Sequence, residues 1–209
     1  LRDAVNDYPT QGQLLQDLPK WHQLCAAMDA CGDTHMAVEA WRRRTAQPPP
    51  AGAQATWEET GESYLLVYGL LQVLVVQQDA VQAIHRLLVG PWEWPEGLQD
   101  VRDIRNCAVG HPVKKERKPG LQGSFGIVQG SLNPSSFTFY TFGTVSGARA
   151  SKPQWRKEPD PAFEDEHWES VDLIKVVAAQ AEALCPLVAG AAATLAATRN
   201  WASGSMNAA

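Results

Sequence analysis

From Thr56 to Val89 the chain runs without a proline, and from Tyr64 to Val76 it carries no charge. A stretch of that length and pattern has few outcomes in a protein of this size: it becomes one long helix, or two helices broken near Gln77 to Asp79. Thr56 with Glu59 three residues later has the form of a capping box, in which each side chain satisfies an orphan amide at the helix start. Pro91 and Pro95 in the PWEWP segment close it, because neither can continue a helical hydrogen-bond ladder. The uncharged run has the length of a buried core helix, short of a membrane span.

The remaining periodicities supply the partners. Residues 12 to 30 place Leu14, Leu15, Leu18, Trp21, Leu24 and Met28 at helical spacing, with Pro19 in or near the first turn. A second, shorter helix is expected from His35 to Arg44 with Met36, Val38 and Trp41 inward, ended by the proline-rich tract AQPPPAGAQA. Leu98, Val101, Ile104 and Ala108 define one face of a short helix from about Leu98 to Val109. The period then changes. GSFGIVQG and SFTFYTFG alternate around LNPSS, which predicts a β-hairpin within residues 121–147. A weakly patterned connection, KPQWRKEPDPAFEDEHWES, leads to a last long helix expected to start at Asp160 and Pro161, with Glu164, Asp165 and Glu166 near its positive end. Val171, Ile174, Val177, Ala178, Ala181 and Leu184 are its apolar positions, and Pro186 is expected to kink it. The alanine-dominated run from Ala183 to Thr198 reads as a closely packed helix. The fold class expected is mainly α: a helical bundle forming a single domain over residues 1–209, with a small hairpin inserted before the last helix.

The net charge of −5 and pI near 5.5 argue against a protein that coats nucleic acid with its whole surface, so any such contact has to be local. Four cysteines, Cys25, Cys31, Cys107 and Cys185, show no paired metal spacing. That fits reduced thiols in a cytoplasmic protein; with both apolar runs read as packed helices, no membrane association is expected. No phosphate-binding glycine loop, nucleophile elbow or paired-cysteine zinc site is present in the sequence, so no cofactor and no metal are expected.

One constellation carries chemistry. The stretch VRDIRNCAVGHP places Arg105, Asn106 and His111 at the end of a short helix, with Gly110 and Pro112 flanking the histidine. On an ideal helix six residues turn through roughly 240 degrees, so Arg105 and His111 share a face only if the helix ends between them. Glycine permits such an ending, and the proline disfavours helical geometry for His111 itself. Lys114, Lys115, Arg117 and Lys118 follow as a local basic run in an acidic chain. A solvated loop and a guide for an RNA backbone are both consistent with that run.

An arginine, a polar residue and a histidine in this spacing, late in a mainly helical chain, resemble the motif of the HEPN ribonuclease family. The resemblance implies a helical HEPN-like domain, commonly a homodimer, that cuts RNA without a metal. It would do so through attack of the 2′-hydroxyl on the adjacent phosphate. Arg105 would stabilise the phosphate, His111 would act as acid or base, and Asn106 would support them. A guanidinium can hold two phosphate oxygens, and an imidazole titrating near neutrality can move the protons the reaction requires. A toxin, antiviral defence or RNA-processing setting, with an antitoxin or regulatory protein as partner, belongs to the same implication. Val113 stands where one toxin subgroup carries a tyrosine that a partner nucleotidyltransferase modifies, so that control is not expected.

Other readings of the same residues stand beside this one. Arg105 forming an ion pair with Asp100 or Asp103, and His111 merely capping the helix, would make the motif structural. Asn106 serves equally as a local cap. The chain would then be a non-catalytic helical interaction module binding RNA, a nucleotide or a partner protein, or a structural subunit. His22, His35, His85 and His167 are expected to be packing or surface residues. Trp92 and Trp94 are expected to lock a loop onto the core, and Phe137, Phe139, Tyr140 and Phe142 to pack on helices.

Overall fold

The computed structural model of the protein describes residues 1–7, 11–12, 14, 16–46, 56–110, 124–142 and 166–206. Among them are five α-helices: α1 (Arg2–Asn6), α2 (Leu18–Thr45), α3 (Trp57–Leu88), α4 (Leu98–Arg105) and α5 (Leu173–Met206). Three strands, β1 (Ser124–Ile127), β2 (Ser136–Phe142) and β3 (Glu166–Asp172), form one antiparallel sheet in the order β1-β2-β3. The chain is mainly α with a small hairpin ahead of its last long helix, as its periodicities predict.

The capping box forms. The Thr56 amide donates to the Glu59 carboxylate at 2.7 Å, and the Glu59 amide donates to Thr56 Oγ1 at 3.2 Å. α3 then continues unbroken through Gln77–Asp79, with Gln78 fully buried. The two helices expected at 12–30 and 35–44 are instead one, α2. Gly32 and Asp33 do not interrupt it, and Thr34 at the expected break returns its hydroxyl to the carbonyls of Ala30 and Cys31 at 2.7 and 3.0 Å. Asp17 accepts the Lys20 amide at 3.2 Å, a side-chain cap that lets Pro19 sit in the first turn, where a missing N–H costs nothing. Val38 and Trp41 are buried as expected, whereas Met36 is 63% exposed.

The stretch before the last helix departs from its sequence pattern. Asp160, Pro161, Glu164 and Asp165 lie outside the described residues, and Glu166–Asp172 is not helix but the third strand. All seven of its residues pair with β2. The acidic composition at 164–166 suits a helix start, but pairing along the whole length of β2 prevails over that local preference. Asp172 takes over the cap, accepting the amides of Ile174 and Lys175 at 3.1 and 3.2 Å. Val171 therefore belongs to the strand. Ile174 is 57% exposed, and α5 runs continuously past Pro186.

The chain divides into two compact units. One comprises Leu1–Met36, Val76–Glu96 and Ala181–Ala209; its core holds Val5, Leu24, Met28, Ile84, Ala191 and Leu195. The other comprises Ala37–Val75 and Gly97–Gln180, and gathers Leu71 and Leu74 of α3, Ile104 of α4, Phe137 and Phe139 of β2, and Val176 of α5. Within this second unit the buried amide of Gln180 donates to the Leu74 carbonyl at 3.1 Å. The hairpin aromatics Phe137 and Phe139 pack inward as expected.

Candidate functional site

The arginine of the motif is placed by the burial of its neighbours. α4 opens after Gly97, whose φ of 85° lies in the left-handed region that glycine enters without strain. The helix buries Leu98, Val101 and Ile104. Arg105, one step of about 100 degrees beyond Ile104, is turned to the edge of that buried face. On α3, Leu71 is fully buried and Gln72 follows it at the exposed edge. Leu71 and Ile104 belong to the same core cluster, so their polar successors come together at its rim.

They meet through a forked hydrogen bond. Gln72 Oε1 accepts from Arg105 Nε at 3.1 Å and from Arg105 Nη2 at 2.9 Å. Asn106 Oδ1 accepts from Arg105 Nη1 at 3.0 Å. Of the five N–H groups of a guanidinium, these contacts take three, and among the described residues one is left over on each terminal nitrogen. Both acceptors are neutral amides. Among the described residues no carboxylate is found paired to Arg105, and Asp103 accepts from Gln99 at 3.1 Å. The positive charge is held in place by neutral groups, with no carboxylate paired to it among the described residues.

Past Arg105 the helix changes its winding. Asn106–Gly110 forms a π-helical turn, and the Asn106 amide donates to the carbonyls of both Arg102 and Asp103. Single π turns inside α-helices recur at functional sites, where the extra residue redirects a side chain. Here Cys107, Ala108 and Val109 of the turn pack against the core while Asn106 faces outward.

The structure thus brings Arg105 and Asn106 together. His111, Lys114, Lys115, Arg117 and Lys118 lie outside the described residues. Gln72 escapes a reading of the sequence: it is one polar residue inside an apolar run, and nothing in its spacing sets it apart from Gln77 or Gln78. His22 and His35 are exposed on α2. His85 packs edge-on against Trp92, with ring centroids 5.4 Å apart, and Trp92 packs likewise against Trp94 at 5.6 Å, which fastens the PWEWP loop to the end of α3. No group of three metal-ligating side chains occurs among the described residues. A shallow recess of about 310 Å³, lined by residues that include Trp41 and Val177, contains none of the motif residues.

Comparison with family models, curated proteins and solved structures gives no match to this chain.

Proposed function

We propose that the protein is a HEPN-type, metal-independent endoribonuclease that acts as a homodimer in the cytoplasm, in a toxin or antiviral defence setting. One observation carries this reading: among the described residues the Arg105 guanidinium rests on two neutral acceptors, Gln72 and Asn106, and these leave one N–H over on each terminal nitrogen. A guanidinium held by amides keeps its full charge for an incoming anion, and its planar fork matches two oxygens of one phosphate.

In the proposed reaction the proton of the ribose 2′-hydroxyl is withdrawn and a proton is delivered to the departing 5′-oxygen; His111 makes one of these transfers, and the His111 of the second protomer of the proposed dimer, or water, makes the other. The 2′-oxygen attacks the adjacent phosphorus and the P–O5′ bond breaks. Arg105 takes up the additional negative charge on the non-bridging oxygens during the exchange. The products are a 2′,3′-cyclic phosphate and a 5′-hydroxyl. Lys114, Lys115, Arg117 and Lys118 would draw the RNA backbone to the site.

The test is incubation of mixed-sequence RNA with the protein in EDTA, with analysis of the product ends. The expected result is cleavage to cyclic-phosphate ends that disappears in Arg105→Ala and in His111→Ala, while light scattering shows a dimer in all three proteins. RNA that stays intact, or cleavage indifferent to both substitutions, sinks the reading and leaves a helical interaction module in its place.

A further inference from the structure

Resting on that reading, we propose that Gln72 is a positioning residue for the reaction: it fixes the rotation of the Arg105 guanidinium so that the remaining N–H groups of the terminal nitrogens form a preset phosphate fork.

The geometry of the fork decides the argument. Nε and Nη2 lie side by side on one edge of the guanidinium, and both donate to the single oxygen Oε1 of Gln72, at 3.1 and 2.9 Å. Two bonds to one acceptor hold the plane of the group, where a single bond would leave it free to swing. Facing a cation, only the oxygen of the amide can accept, so the Gln72 amide is itself oriented. Asn106 engages the third nitrogen at 3.0 Å, and Nη1 and Nη2 each keep one N–H. The anchor comes from α3, 33 residues away in the chain, and is independent of the π turn that carries Asn106. A glutamate at position 72 would offer the same two bonds but would cancel the charge that the phosphate requires. The neutral acceptor satisfies both demands.

Two substitutions separate this role from a packing role. Gln72→Met keeps length and shape but removes the acceptor, so the guanidinium is no longer fixed. Cleavage at saturating RNA is expected to fall by about ten-fold, since misplacing a catalytic group is costly even when binding survives. Gln72→Glu keeps the geometry and adds a charge. It is expected to weaken binding of a fluorescein-labelled single-stranded RNA and to reduce the slope of log affinity against log salt by about 0.7, the loss of one phosphate contact. In an Arg105→Ala background, where no cleavage is left to read, Gln72→Glu should leave the salt slope of RNA binding where Arg105→Ala alone puts it. Gln72 is exposed, and circular dichroism melts of both variants are expected to match the wild type. If both variants cleave and bind like the wild type while Arg105→Ala is inactive, Gln72 has no positioning role and the nuclease reading stands. If Gln72→Glu lowers the salt slope by the same amount without Arg105, Gln72 acts by another route and the inference is overturned. A wild-type protein that leaves RNA intact overturns the nuclease reading and this inference together.

Discussion

The indole Nε1 of Trp41 donates to the carbonyl oxygen of Pro134 at 2.8 Å, which ties α2 to the turn of the hairpin. The turn is already organised from within, because Asn133 Oδ1 accepts the amides of Ser135 and Ser136 at 3.0 and 2.9 Å and the Ser135 hydroxyl at 2.8 Å. The Leu173 amide then donates to the Ser135 carbonyl at 2.9 Å, so the same turn also receives the start of α5. Trp41 is 5% exposed and sits in the core cluster with Phe137 and Phe139. Trp41→Phe should therefore cost about 1 kcal/mol through the lost hydrogen bond, plus a smaller term for the unfilled volume. Trp41→Ala should cost about 3–5 kcal/mol. Equilibrium urea unfolding measures both, and a Trp41→Phe variant as stable as the wild type would remove the hydrogen bond from the account.

Leu71 offers a sharper separation of fold and site. It is fully buried between the faces that bring Gln72 to Arg105. Leu71→Ala is expected to destabilise by about 2–5 kcal/mol, the range for a buried leucine truncated without full collapse of the cavity. Truncating exposed Leu65, on the same helix and 76% exposed, should change stability by less than about 0.5 kcal/mol. Urea midpoints for the pair check this, and a large effect at Leu65 would mean that its face is covered in solution.

What the sequence discloses follows the range of the interactions involved. α3 is readable because a capping box, an apolar period and two prolines all act within a few residues of one another. The buried face of α4 is readable for the same reason. β3 is not: its strand character comes from pairing with β2, while the local acidic residues argue for a helix start. The break expected near His35 fails: the helix runs through it, and the buried Thr34 hydroxyl is satisfied by the carbonyls of Ala30 and Cys31 without leaving the helix. At the site, Arg105 and Asn106 are adjacent and stand out by motif, but Gln72 meets them only because two buried faces pack. Its partner lies 33 residues away, and no local pattern marks that distance.

The capping box makes the stability of α3 depend on pH. The Thr56 amide, and then the Thr56 hydroxyl, hold the Glu59 carboxyl below its ordinary pKa. A folded-state pKa that is depressed adds stability that is fully present above the unfolded value, about 4.3, and is lost as the pH falls through the folded value. Glu59→Gln retains a hydrogen-bonding cap but no charge. The difference in Tm between wild type and this variant should be constant near neutrality and shrink as the pH drops below about 4.3. A difference that grows on acidification reverses the sign and rejects the assignment.

The thiols should react in a fixed order. Burial, with a smaller contribution from the nearby Cys185, pushes the Cys31 thiol above its ordinary pKa, whereas Cys185 is exposed. Since the thiolate is the nucleophile, a raised pKa and restricted access act in the same direction. Iodoacetamide at mildly alkaline pH, followed by peptide mass spectrometry, should show Cys185 alkylated well before Cys31. Denaturation should abolish the order, and an order unchanged in urea would place its origin outside the fold.

Arg105→Lys separates charge from geometry at the proposed site. Lysine keeps the positive charge, but its ammonium is a point donor without a planar fork. It cannot reproduce the two bonds to Gln72 and the one to Asn106 while still presenting two donors to a phosphate. RNA affinity rests mainly on charge, so it should fall only a few-fold, with an unchanged salt slope. The single-turnover cleavage rate, which depends on aimed donors, should fall by about 10²-fold, the scale of losing one preorganised donor to a developing oxyanion. Arg105→Ala should lose both the rate and about one unit of phosphate contact in the salt slope. Fluorescence anisotropy for binding and rapid quench for cleavage measure the two quantities independently. A lysine variant that cleaves at the wild-type rate would show that charge alone suffices, and the amide-held fork would then have no part in the chemistry.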